Sequence, residues 1–199
     1  MTSEALPIAA ALLAGGESRR MGSCKATLVL GGVPLWRRQV ATLRELQPGK
    51  LVVSGNTRWP GVHTLADRRP GNGPLGGVAT VLAGLSARFV VVLAVDLPLV
   101  TSGFLMRMVG AARLANKAVI PWEGRRWHPL AAVYTLACLP VVETLLERGE
   151  LRMQELADAL MTDCLAVPWE ASVEEAGMLR NVNTPEDFQE VEHLLKGDR

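Results

Sequence analysis

Phe89-Val90-Val91-Val92-Leu93-Ala94-Val95-Asp96-Leu97-Pro98 is an unbroken apolar run that stops abruptly on a carboxylate and a proline. It is too short for a typical helix and rich in β-branched residues, so it reads as a strand buried on both faces. Pro7 to Leu13 (PIAAALL) has the same character, and Leu51 to Ser54 reads as a shorter strand. Helical signals alternate with these runs. Pro34 opens a stripe of Leu35, Val40, Leu43 and Leu46, and Phe104, Leu105, Met108, Val109 and Ala112 form another. The glycine cluster from Gly71 to Gly77 leads into a helix ending near Ser86. Alternating buried strands and helices predict an α/β fold with a mostly parallel central sheet flanked by helices.

Beyond Ala118–Ile120, a short strand, the rhythm loosens. A strand is expected at Leu130–Tyr134, two helices separated at Gly149, and a strand at Leu165–Val167. Thr184 to Leu195 reads as a closing helix, with Thr184 as N-cap, Pro185 at its first position and Asp187 completing a capping box. The chain of 199 residues shows no linker and reads as one domain. Residues 1 to about 100 would form a nucleotide-binding half, and the remainder an acceptor-binding half with the closing helix.

A net charge of +1 excludes attraction of nucleic acid or membrane by an overall field, so any anion must be held locally. Three scattered cysteines, Cys24, Cys138 and Cys164, show no metal-type spacing and suit a reducing cytoplasm. The apolar segment from Ala5 to Leu13 lacks a basic flank and runs into a glycine loop, so it is expected to be a strand rather than a signal peptide. No apolar stretch reaches the roughly 18 residues of a membrane span.

Ligands of such sheets bind beyond the carboxyl ends of the strands. The first strand is followed by Leu13-Ala14-Gly15-Gly16-Glu17-Ser18-Arg19-Arg20-Met21-Gly22 and then Lys25. Gly15 and Gly16 allow close backbone approach, and their N–H groups can cradle phosphate oxygens. Arg19, Arg20 and Lys25 add positive charge; a solvated basic turn is the alternative. The spacing is not that of a Walker A loop. Gly71-Asn72-Gly73-Pro74-Leu75-Gly76 matches the dinucleotide fingerprint, but Asp67-Arg68-Arg69-Pro70 precedes it where a strand should, so it is read as a glycine loop lying close to a ligand. Asp96 stands where a carboxylate could hold Mg²⁺, or serve as a turn or cap residue. Asn181 and Asn183 share a face in extended chain, and offer an amide oxygen as a second ligand or ordinary turn chemistry. His128 reads as a packing residue. Trp122 and Trp127, around Glu123-Gly124-Arg125-Arg126, form either a platform for a flat anionic acceptor or a plain hairpin.

LLAGGESRRMG with Lys25, GPLGG at Gly73–Gly77, Asp96-Leu97-Pro98, His128-Pro129-Leu130 and NVNTPEDF at Asn181–Phe188 together resemble the molybdenum cofactor guanylyltransferases, in the family's order and over almost the whole chain. The resemblance implies a Rossmann-like nucleotidyltransferase fold. It implies that Leu13, Ala14, Gly15 and Lys25 contact the nucleotide, with Gly16 and Gly76 in its glycine motifs. Asp67 and Asp96 would line the same site. Asp96 is the implied Mg²⁺ ligand, Asn183 a second, and Lys25, Arg19 and Asp96 the implied catalytic set. Ser54 departs from the family, which often has asparagine there, while Asn56 follows two residues later. The implied reaction joins GMP from GTP to molybdopterin, with molybdoenzymes or their chaperones as candidate recipients. The Leu-Ala-Gly-Gly loop favours GTP over the CTP of related cytidylyltransferases. A sugar-phosphate nucleotidyltransferase and a non-catalytic GTP-binding carrier are the alternatives.

Overall fold

The computed structural model describes residues 8–15 and 25–197. Strand β1 (Ile8–Leu13) is buried throughout. A small antiparallel hairpin of β2 (Val29–Leu30) and β3 (Val33–Pro34) turns at Gly31 and Gly32, both at positive φ, and delivers the chain into α1 (Leu35–Glu45). Next come β4 (Lys50–Ser54), β5 (His63–Leu65), α2 (Gly73–Gly84), β6 (Phe89–Ala94) and α3 (Ser102–Ala115). The second half contains β7 (Ala118–Glu123), β8 (Arg126–Trp127), β9 (Ala131–Thr135), α4 (Leu139–Arg148), α5 (Met153–Thr162), β10 (Ala166–Glu170), α6 (Val173–Met178) and α7 (Pro185–Gly197).

One eight-stranded sheet runs β10-β7-β9-β6-β1-β4-β5, with β8 paired to β7. The β1–β4, β1–β6, β4–β5 and β10–β7 pairs are parallel; β9 runs against both β6 and β7. The sheet is therefore mostly parallel, as the sequence predicts. Successive side chains of a strand point to opposite faces, and both faces here are covered. Ala10, Leu12, Val91 and Leu93 meet α1 and α3 through Leu35, Leu43, Phe104 and Met108. Ala9, Leu13, Val90 and Val92 meet α2, α4 and α5 through Val78, Leu82, Leu145 and Leu156. This two-sided burial explains why β1 and β6 lack polar alternation.

Several expectations shift. The 71–77 cluster is not all loop, because α2 begins at Gly73 and contains Gly76 and Gly77. Gly71 (φ 90°) and Gly73 (φ 58°) make the sharp entry that side-chain-bearing residues rarely adopt. Strand β7 extends past Ile120 to Glu123 and turns at Gly124 (φ 60°) into β8, so the tryptophan segment is a hairpin pairing Trp122 with Trp127. Edge strand β5 and short helix α6 were not expected from periodicity. Helix α6 carried a legible signal nonetheless: Ser172 and Glu175 form a capping box. Among the described residues, no helix is long and apolar enough to cross a membrane.

Candidate active site

The carboxyl ends of β1, β4 and β6 lie side by side because the three strands are neighbours in one parallel register. Two features converge there. The first is a cavity of about 600 Å³ lined by Leu13, Gly15, Ser54, Asn56, Asp67 and residues from Pro70 to Gly77. Its floor depends on close backbone approach. The Ala14 N–H donates to the Ser54 carbonyl at 3.2 Å. A Cβ at Gly55 would lie 3.3 Å from both Cα and N of Gly15, tighter than most real contacts. Ser54 is buried and donates to the Asp67 carboxylate at 3.0 Å. The serine at the position of departure thus belongs to the cavity wall, and Asn56 reaches the same cavity. Gly77 lines it as well. Gly76 instead faces its own loop, where a Cβ would come within 3.1 Å of the Arg69 carbonyl oxygen.

The second feature is a three-residue polar cluster. Lys25, at the start of a 3-10 turn, donates through Nζ to Asp96 Oδ2 at 3.1 Å and to Asn183 Oδ1 at 2.7 Å. These residues are far apart in sequence, and backbone bonds hold their carriers together. The Val95 N–H donates to the Leu13 carbonyl, and the Ala94 N–H to the Leu130 carbonyl, which fixes the end of β6 between β1 and the segment before β9. The Val182 N–H donates to the Asp96 carbonyl at 2.9 Å, and fully buried Val182 anchors the loop that carries Asn183. The Asp187 carboxylate accepts from the Asn183 and Thr184 N–H groups while the Thr184 hydroxyl accepts from the Asp187 N–H, which is the expected capping box. Those two backbone bonds hold the Asp187 carboxyl below its ordinary pKa.

Asp96 is neither a helix cap nor a plain turn residue: Thr101 caps α3, and the Asp96 side chain faces Lys25. Its other oxygen, Oδ1, is buried with no hydrogen-bond partner among the described residues. A buried carboxylate oxygen is seldom left unpaired without a role. With the Asn183 amide oxygen it offers hard-oxygen donors of the kind a divalent cation would take. No cluster of three or more His, Cys, Asp or Glu suited to a metal occurs among the described residues. Gly16 and Arg19, also expected in the site, lie outside the described residues.

A smaller cavity adjoins the cluster on the β9 side, lined by Leu97, Arg126, Trp127, His128, Gln154 and Asn181 among others. His128 is buried, and burial pushes its pKa below the ordinary value despite a 2.9 Å contact with Glu123. Its ring packs in the interior and ties Glu123 to the base of the hairpin. The hairpin is also clamped from α5, since Gln154 both accepts from the Trp127 N–H and donates to its carbonyl, and Asp158 accepts from the indole. Sequence reasoning did not find Gln154, and it named Asn56 and Gly77 without assigning either to the site; the strand order brings all three to the cavities.

Residues 10–162 match the MobA-like NTP transferase domain. A probable molybdenum cofactor guanylyltransferase of Opitutus terrae is 38% identical, with 94% of this chain and 96% of the relative aligned. One from Deinococcus radiodurans is 34% identical, with 94% of each aligned. Among solved structures, molybdopterin-guanine dinucleotide biosynthesis protein A from Archaeoglobus fulgidus superimposes with a TM-score of 0.79 at 22% identity, over 95% of this chain and 99% of that one. A Methanothermobacter nucleotidyl transferase gives 0.78 at 17% identity, over 96% and 99%. The chain belongs to the MobA-like NTP transferase family, among the relatives of the molybdenum cofactor guanylyltransferases, and is a nucleotidyltransferase.

Proposed function

We propose that the protein transfers GMP from GTP to the terminal phosphate of molybdopterin, releasing pyrophosphate. The observation that carries this reading is the Lys25–Asp96–Asn183 cluster beside a backbone-walled cavity at the carboxyl ends of the strands. The names of the relatives support guanine and this acceptor. The Leu13-Ala14-Gly15-Gly16 loop is consistent with them.

The nucleoside fits the cavity between Gly15, Asn56, Asp67 and Gly77, which directs the phosphates toward Lys25 and Asp96. The acceptor approaches from the β9 side, past Trp127 and Asn181. Its phosphate, whose second pKa is about 6, is already largely ionised at pH 7, so no general base is required. The remaining tasks are alignment and charge neutralisation. Lys25, with Arg19, neutralises charge that builds on the α-phosphate and the leaving pyrophosphate. Asp96 and Asn183 would hold Mg²⁺, which when bound offsets phosphate charge. The pinned Asp96 and Asn183 backbones keep those oxygens in place without reorganisation. Molybdoenzymes or their chaperones would receive the product.

Titration with GTP, CTP and ATP, with and without Mg²⁺, tests the reading, followed by pyrophosphate release with the acceptor. GTP should be preferred only when Mg²⁺ is present. Asp96→Ala should remain folded yet lose at least about a hundredfold in turnover, matching several kcal/mol of charge stabilisation. Preference for CTP would indicate cytidylyl transfer. GTP binding without pyrophosphate release in the presence of acceptor would indicate a carrier.

A further inference from the structure

Gln39 is a polar residue in the apolar stripe of α1 and is 0% exposed. Its Nε2 donates to the Leu97 carbonyl at 2.6 Å and reaches the Ala94 carbonyl at 3.5 Å. These carbonyls bracket Asp96, which sits in a turn closed by the Leu97 N–H on the Ala94 carbonyl at 3.4 Å. The amide orientation is fixed by chemistry, because only its NH₂ end can donate to carbonyls. Oε1 is consequently buried with no partner among the described residues.

That arrangement is uneconomical as a purely structural device. Both carbonyls already accept a backbone N–H: Leu97 N on Ala94 at 3.4 Å and Val100 N on Leu97 at 3.2 Å. A methionine of similar length would fill the same space with no orphaned acceptor, and neither carbonyl would be left unpaired because each keeps the backbone N–H it already accepts. What methionine would lack is the side-chain bridge from α1 to the carbonyls at both ends of the Asp96 turn, which adds to the 3.4 Å backbone bond that closes it. The Asp96 carbonyl is separately bonded to Val182 and the Val95 N–H to Leu13. Gln39 therefore adds a restraint on the turn from the helix packed beneath it.

We infer that Gln39 is a positioning residue of the nucleotidyl-transfer site, fixing the Asp96 turn so that its carboxylate is presented to the cation that accompanies the nucleotide. The inference rests on Asp96 being a ligand of that cation. It acts through backbone geometry, with no contact of Gln39 with nucleotide or ion.

The experiment compares wild-type protein with Gln39→Met and Gln39→Asn, using Mn²⁺ titrated in the presence of GTP and read by electron paramagnetic resonance, together with thermal midpoints of the ligand-free proteins. Gln39→Met should melt at or above the wild-type temperature while its Mn²⁺ midpoint rises about tenfold and KM for GTP changes less than kcat. Gln39→Asn, whose shorter amide leaves its donors unmet in the core, should lose both stability and Mn²⁺ affinity. A purely structural glutamine predicts otherwise: Mn²⁺ response would follow stability, and Gln39→Met would titrate like wild type. That result would overturn the inference. Should Gln39→Met fail to fold, Gln39→Leu carries the same comparison. Wild-type protein that binds no Mn²⁺ with GTP would overturn this inference and the proposed reaction together, whereas an unchanged midpoint in Gln39→Met overturns this inference alone.

Discussion

Lys25 holds its ammonium between Asp96 Oδ2 and Asn183 Oδ1, the second of which is also a proposed cation ligand. A unit charge some 3 Å from both oxygens opposes a second cation in the same place. Removing it should therefore act in opposite directions on two measurements. In Lys25→Met, Mn²⁺ alone should bind the nucleotide-free protein roughly tenfold more tightly, equivalent to ~1.4 kcal/mol. GTP turnover should fall in the same variant. Parallel loss of both would show that the lysine does not compete with metal in the free protein. This duality also explains how much of the site was legible beforehand. Lys25, Asp96 and Asn183 stood out as charged or amide residues beside strand ends and glycines. Gln39 did not, because one glutamine in an apolar stripe carries no sign of the carbonyls it will meet across the fold. Gly76 and Gly77 are indistinguishable in sequence, and only the rotation of α2 decides which one faces the cavity.

The closing helix does more at its first turn than cover the sheet. Thr184 and Asp187 cap it reciprocally, and the same Asp187 carboxylate holds the Asn183 N–H. Loss of the cap in Thr184→Ala should cost about 1 kcal/mol of stability in urea unfolding. Because the folded pKa of Asp187 lies below its ordinary value of 3.8, its contribution is complete above that value and disappears as pH falls through the lower folded one. Asp187→Asn should flatten that acid limb of the stability profile; an unchanged limb would assign it to other carboxylates. Elements defined by long apolar runs or by caps, such as β1, β6 and α7, were readable from sequence. Strand β5 was not, since its three residues sit at an edge and take their place from pairing with β4. The reversed β9 was likewise hidden, because a strand's direction leaves no mark on its own residues.

At the scale of the whole molecule, the parallel core fixes where chemistry can occur. Leu93 is fully buried in the central strand, two residues before the turn that bears Asp96. Leu93→Ala should destabilise the fold by about 2–5 kcal/mol in denaturant unfolding. If β6 is the common foundation of both cavities, the surviving folded population should also bind GTP less tightly; undiminished affinity would show that the strand end holds its shape without the leucine.

The sequence separation of the cluster has a consequence for how the molecule comes into being. Lys25 and Asn183 are 158 residues apart, so a chain emerging from the ribosome presents the ammonium and the carboxylate long before the amide oxygen that the ammonium also binds. Until the last helix has docked, a growing polypeptide can assemble much of its sheet without completing the cradle. If Asp96 and Asn183 hold the cation as proposed, only molecules whose last helix has docked offer both ligands, and ligand binding would stabilise finished molecules over nascent or truncated ones.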